Sequence, residues 1–192
     1  MAQTSAPTPT TAVDAAEPEA PPPPPTDAEL VVARYPGATV PTWRFADGIP
    51  TVRVAPDQIC DAISWLRHRP DGGRRYDMLV DVSGSHWPER AEPLEVTYIL
   101  HALEDSHRIR LKVAVGGEHP AIPSVTGVWA LANWPEREIF DMYGVEFSGH
   151  PDLRRIITPN DWEGHPLRKD DAPSRIPVQF SGDFAARQGS GA

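Results

Sequence analysis

The chain has 192 residues, 40% of them hydrophobic and 23% charged, which suffices for one domain with a sizeable core plus tails. Its formal charge of -9 argues against nucleic acid and anionic lipid, since both are bound through basic surfaces. A single cysteine, Cys60, excludes a disulfide framework and any cysteine-rich zinc or iron-sulfur site within this chain, and it points to a reducing compartment.

No window approaches the roughly 20 apolar residues that cross a bilayer, so no membrane span is expected. No secretory or transit signal is expected either, because the start is neither basic nor arginine-rich. Residues 1–26 are Ala, Thr and Pro with Pro21 to Pro25 consecutive, and read as a disordered or polyproline-II leader. A spacer role outweighs that of a ligand for a proline-binding groove.

Thr26 is placed to cap a short helix from Asp27, with Leu30, Val31 and Tyr35 on one side and Pro36-Gly37 as its stop. Two short strands are expected around 40–45 and 50–54, turned by Asp47-Gly48. Pro56 suits the first turn of a helix to about Arg69, whose apolar face is Ile59, Ile63 and Leu66. Cys60 on this helix reads as a small buried hydrophobe rather than a reactive thiol. Strands at 76–83, 94–102 and 109–115 follow, the last two alternating apolar with other residues as a sheet with one covered face requires. The order helix, two strands, helix, three strands gives a two-layer α+β fold, with helices over a mixed, mostly antiparallel five-stranded sheet. No glycine-rich nucleotide-binding loop is present.

Past Pro120, Val125, Val128, Trp129 and Ala132 are spaced for a short buried helix. Asn133 then looks like the cap of the next helix, with Glu136 returning the hydrogen bond and Gly144 as the left-handed stop. The expected organisation is therefore the leader, an α+β core over 27–122, a helix plus extended charged segment over 123–171, and a polar tail over 172–192.

The stretch from Trp134 to Asp171 carries nine acids and five bases but no broad apolar face. On its helix Arg137 and Asp141 are four apart and can pair, while Glu138 and Asp141 share a side. Arg154 and Arg155 can bind the remaining carboxylates bidentately, so a structural ion network outweighs acid-base or metal chemistry. His150 and His165, each between Gly and Pro, would need further donors beside Asp152 to hold a metal; a fixed loop histidine is the simpler reading. No Ser or Cys has an evident histidine base, which disfavours a hydrolase.

Two blocks of this stretch, EREIFDMYGVEFSGHPDLRRII from Glu136 to Ile157 and GHPLRKD from Gly164 to Asp170, are specific. They closely resemble the thirty-kilodalton subunit family, the C subunits, of NADH:quinone oxidoreductase, respiratory complex I. The resemblance extends loosely over 27 to about 175 and departs at Asp171-Ala172, where the family more often has an aromatic residue. It implies a non-catalytic, peripheral-arm scaffold subunit beside the quinone-reducing module, on the cytoplasmic side of the inner membrane. No cofactor is implied for this chain, with FMN and iron-sulfur clusters held by partner subunits. The partners implied are chiefly the D and B subunits, in an obligate hetero-oligomer. The interface residues would be Glu136, Arg137, Glu138, Asp141, His150, Asp152, Arg154, Arg155, His165, Arg168, Lys169 and Asp170, with the cations meeting acids or carbonyls of the D subunit. The alternatives are the equivalent subunit of a hydrogenase-type or plastoquinone complex, and a free-standing enzyme using His150, Asp152 and His165 around a metal.

Overall fold

The structure, a computed structural model, describes residues 25–42 and 46–170. The leader, Trp43 to Phe45 and the tail from Asp171 lie outside the described residues. Helix α1 spans Asp27–Arg34, and the Thr26 hydroxyl and the Glu29 carboxylate close a reciprocal capping box at its start. Strand β1 (Thr51–Arg53) leads through a 3-10 turn at Pro56–Gln58 into α2 (Ile59–His68). The long strands β2 (Met78–His86), β3 (Leu94–Ala102) and β4 (His107–Val115) follow. Two short strands, β5 (Ala121–Pro123) and β6 (Glu146–Ser148), flank helix α3 (Asn133–Tyr143).

The main sheet has the order β1-β4-β3-β2, with β1 parallel to β4 and the other pairs antiparallel. Among the described residues it holds four strands; the strand expected around 40–45 falls partly on residues 43–45, which lie outside them. Around residue 40 the described chain contributes only a bridge between Thr39 and Arg53. Strand β2 begins two residues later than its apolar run suggests. Tyr76 is held outside it, its amide donating to the Leu66 carbonyl and its hydroxyl to Asp27.

One face of this sheet is the core face. Leu94, Val96, Tyr98 and Leu100 of β3 and Ile109, Leu111 and Val113 of β4 are buried there against Ile59, Ile63 and Leu66 of α2 and Val31 of α1. At about 25 cal/mol per Å2 of apolar surface, such side chains supply most of the driving force for the fold. The opposite face is polar. Glu95, almost fully buried among the side chains of that face, meets Arg53, Arg90 and Lys112.

Residues 125–132 bury the predicted side chains Val125, Trp129 and Ala132 without forming the predicted helix. A turn at 126–128 gives way to Trp129 in extended backbone and a 3-10 turn at Ala130–Ala132. Helix α3 packs over β2, and Gly84 makes that approach possible. A Cβ there would lie 2.7 Å from the Tyr143 ring and 3.3 Å from Ile139. Strands β5 and β6 then pair in parallel, which returns the chain across the end of α3 and aims residues 150–170 along its flank.

Candidate interaction surface

The last turn of a helix leaves carbonyls without intrahelical partners, and α3 ends on a left-handed Gly144 with φ of 75°. Those carbonyls are taken by the following segment. His165 Nδ1 lies 2.9 Å from the Asp141 carbonyl, the Leu167 amide donates to Met142 at 3.1 Å, and Arg168 Nε donates to Tyr143 at 2.6 Å. A Cβ on Gly144 would fall 2.5 Å from His165 Nε2, so the glycine also makes room for the ring. The GHPLRK block is thus a cap delivered from about 20 residues downstream. Its far end is tied to the sheet, where the Lys169 amide donates to His86 Nδ1 of β2 at 2.9 Å.

Asp141 is fully buried on the same helix. Its Oδ2 accepts the consecutive amides of Ile156, Ile157 and Thr158 at 3.1, 2.8 and 2.9 Å, and its Oδ1 accepts from Arg155 at 2.7 Å and from the Thr158 hydroxyl. Burial alone would raise its pKa. The hydrogen bonds from Thr158, Ile157 and Arg155 outweigh that and hold the carboxyl well below the usual range. Arg155 also donates to the Gly164 carbonyl at 3.0 Å, joining both motif blocks through one guanidinium.

Arg137 does not pair with Asp141. It crosses to the loop, donating to the carbonyls of Arg154 at 3.0 Å and Arg155 at 3.5 Å, with Asp152 at 4.0 Å and its guanidinium over the Trp134 ring. Arg154 forms a two-pronged pair with Asp152 at 2.6 and 2.7 Å. Glu138, in contrast, is exposed and makes no hydrogen bond or ion pair among the described residues.

Glu136 does not serve the predicted capping box, since Asn133 already has helical backbone. Its buried carboxylate instead accepts from the Val125 amide at 2.8 Å and the Ser124 hydroxyl at 2.6 Å, organising the turn upstream. Burial pushes its carboxyl up, against the opposing pull of those two donors. His150 Nε2 lies 4.0 Å away. The Asp152 amide donates to His150 Nδ1 at 3.0 Å, which fixes the proton on Nε2, and that proton goes to the Asn133 carbonyl at 3.1 Å. The one nitrogen lone pair of this histidine is therefore used by the backbone. Among the described residues no group of three or more His, Cys, Asp or Glu side chains is placed to hold a metal ion. Cys60 is half-buried, 3.1 Å from the Ser124 carbonyl, and burial followed by the nearby Glu136 raises its thiol pKa.

Residues 52–175 match the family of the respiratory-chain NADH dehydrogenase 30 Kd subunit. The chain belongs to that family. It is 44% identical over 139 residues to the C subunit of NADH-quinone oxidoreductase from Maricaulis maris, covering 72% of this chain and 68% of that one. To the same subunit of Caulobacter sp. strain K31 it is 46% identical over 142 residues, spanning 74% of this chain and only 64% of the relative. To that of Roseiflexus castenholzii it is 42% identical over 146 residues, with 76% and 82% covered. A trypsin-resistant fragment of Nqo5 superposes with a TM-score of 0.50 at 28% identity, covering 65% of this chain and 95% of the fragment. A chain of an archaeal membrane-bound sulfane sulfur reductase shares the fold alone, with a TM-score of 0.57 at 23% identity over 74% of this chain and 81% of that one.

Within this member of the 30 kDa family, the twelve residues singled out from sequence divide by position. Glu136, Asp141 and the side chain of His150 are buried, and Arg155, His165 and Arg168 hold the segment to α3. Glu138, Arg154, Lys169 and Asp170 are exposed, and Arg137 and Asp152 are half-buried between α3 and the loop. Sequence reasoning missed Ser124, Thr158 and His86. Each meets its partner from 12 to 83 positions away, and none carries a local signal of that contact. No helix among the described residues is long and apolar enough to cross a membrane.

Proposed function

We propose that this chain is a non-catalytic scaffold subunit of a proton-translocating NADH:quinone oxidoreductase. It sits in the peripheral arm on the cytoplasmic side of the inner membrane and holds the quinone-reducing module in place for electron transfer from NADH to quinone. Its partners are chiefly the D and B subunits, with FMN and iron-sulfur clusters in partner subunits. The segment over 134–170 is the docking surface. Glu136, Arg137, Asp141, His150, Arg155, His165 and Arg168 shape it from inside, while Glu138, Asp152, Arg154, Lys169 and Asp170 lie on its outer side.

The observation that carries this reading is the environment of Asp141. A catalytic carboxylate needs an open position and a tuned proton affinity. Asp141 instead has its oxygens filled by three amides, a hydroxyl and a guanidinium of its own chain, so the most motif-rich part of the sequence builds shape. Family membership supports the setting in a respiratory complex. The test is affinity purification of the full chain from its native membranes. Recovery with the D and B subunits in a preparation that oxidises NADH is expected, and recovery only as a free monomer overturns the reading. A recovered complex that cannot oxidise NADH would point to the relative with a different electron donor.

A further inference from the structure

The charges of the docking surface are largely spent inside the chain, and its apolar side chains are not. Arg137, Arg154, Arg155 and Arg168 each bond to a carboxylate or carbonyl of their own chain, and Lys169 lies over the Trp87 ring. Leu131, Trp134, Ile157 and Leu167 are nevertheless 58%, 64%, 59% and 50% exposed. They follow one flank of α3. Leu131 and Trp134 stand at its start; Arg137 bridges the Trp134 ring to the loop that carries Ile157; and Leu167 is pinned at the helix end through its amide. An 11-residue helix is about 15 Å long, so these four side chains span a strip of that order. The exposed acids Glu138, Glu146, Asp161 and Glu163 make no ion pair among the described residues, against Lys169 as the exposed cation without a carboxylate partner. The exposed unpaired charge of the segment is therefore acidic on balance.

We infer that this strip seats on an apolar patch with a basic rim on a neighbouring subunit of the complex. The inference rests on the scaffold reading above and adds what the partner surface must look like. An aromatic and aliphatic centre surrounded by charge is the usual arrangement of a specific interface, in which a few large anchors carry most of the energy. The acidic rim sets approach and orientation. The arginines act one step back, holding the anchors in place.

The test compares full-length variants by the amount of partner subunit recovered from native membranes, with thermal melting of each isolated chain as a fold control. Trp134→Ser combined with Ile157→Ser should reduce recovery about tenfold or more, as loss of central anchors does, with melting unchanged because both side chains are exposed. Glu138→Lys should also lower recovery, because it reverses the sign of an exposed charge beside the anchors. Full recovery of the double variant beside a wild-type chain that recovers its partners overturns the inference alone. A wild-type chain that recovers none removes the scaffold reading beneath it. Hydroxyl-radical footprinting of the isolated chain distinguishes the remaining occupant. If Trp134 and Leu167 are shielded in the full chain and exposed on truncation after Asp170, the chain's own tail covers the strip and the inference fails.

Discussion

Asp141 and Glu136 lie five residues apart on α3, both fully buried, and their surroundings pull their protons in opposite directions. For Asp141 the folded chain prefers the charged form. Its contribution is therefore complete above the ordinary value of 3.8 and is lost as pH falls through its lower folded value. Asp141→Ala would strand three amides and Arg155, and should cost about 3–5 kcal/mol in urea unfolding at neutral pH. For Glu136 burial favours the protonated form, so stability declines as pH rises from the ordinary 4.5 through its higher folded value. Glu136→Gln keeps an acceptor for Val125 and offers a donor to Ser124. Unfolding free energies measured from about pH 5 to about pH 8 should lose that decline in the variant, and an unchanged slope would contradict the assignment. The sequence identified both carboxylates and the dominance of an ion network, yet paired Asp141 with Arg137. Helical spacing makes that pair possible, but Arg155 and three consecutive amides offer a fuller set of donors. Such a ring of donors forms only when a loop 15 residues away folds back, and no local pattern announces it.

The elements with a strong period were the legible ones. Helix α1 with its Thr26 cap, the apolar face of α2 and the span of β3 were all readable, because capping chemistry and alternation are local. Strands β5 and β6 were not, since three residues each are too few to show a period of two. Residues 125–132 kept the burial of a helix without its backbone. Arg67 holds the Val128 carbonyl, which a continuing helix would have offered to the Ala132 amide, and that amide bonds to the Trp129 carbonyl in a 3-10 turn instead. Gly84 is the position on which the placement of α3 depends. Gly84→Ala would force the Tyr143 ring or the helix away from β2, and should destabilise the chain by about 1–3 kcal/mol, as overpacking does. A melting temperature equal to wild type would show that α3 does not need this close approach.

Taken whole, the described chain is a sheet with helices on one face and a polar network on the other, where Glu95 gathers Lys112, Arg53 and Arg90. Length and composition pointed to one domain, and the order of elements to an α+β fold. They could not indicate that the charged stretch is clamped to that body, because the clamps are backbone carbonyls, invisible in any list of residue types. The cap on α3 also imposes an order in time. The carbonyls of Asp141, Met142 and Tyr143 wait for His165, Leu167 and Arg168, which leave the ribosome 24 to 25 residues later. At about 5–20 residues per second the helix end stands open for seconds during synthesis, and the motif-bearing segment closes it last. Amide exchange at Tyr143 and Gly144 in nascent chains arrested with residue 160 or residue 170 just emerged should be fast in the first and protected in the second. The proposed docking surface is thus finished only once residue 170 has emerged, so a copy made no further than residue 160 does not yet present it.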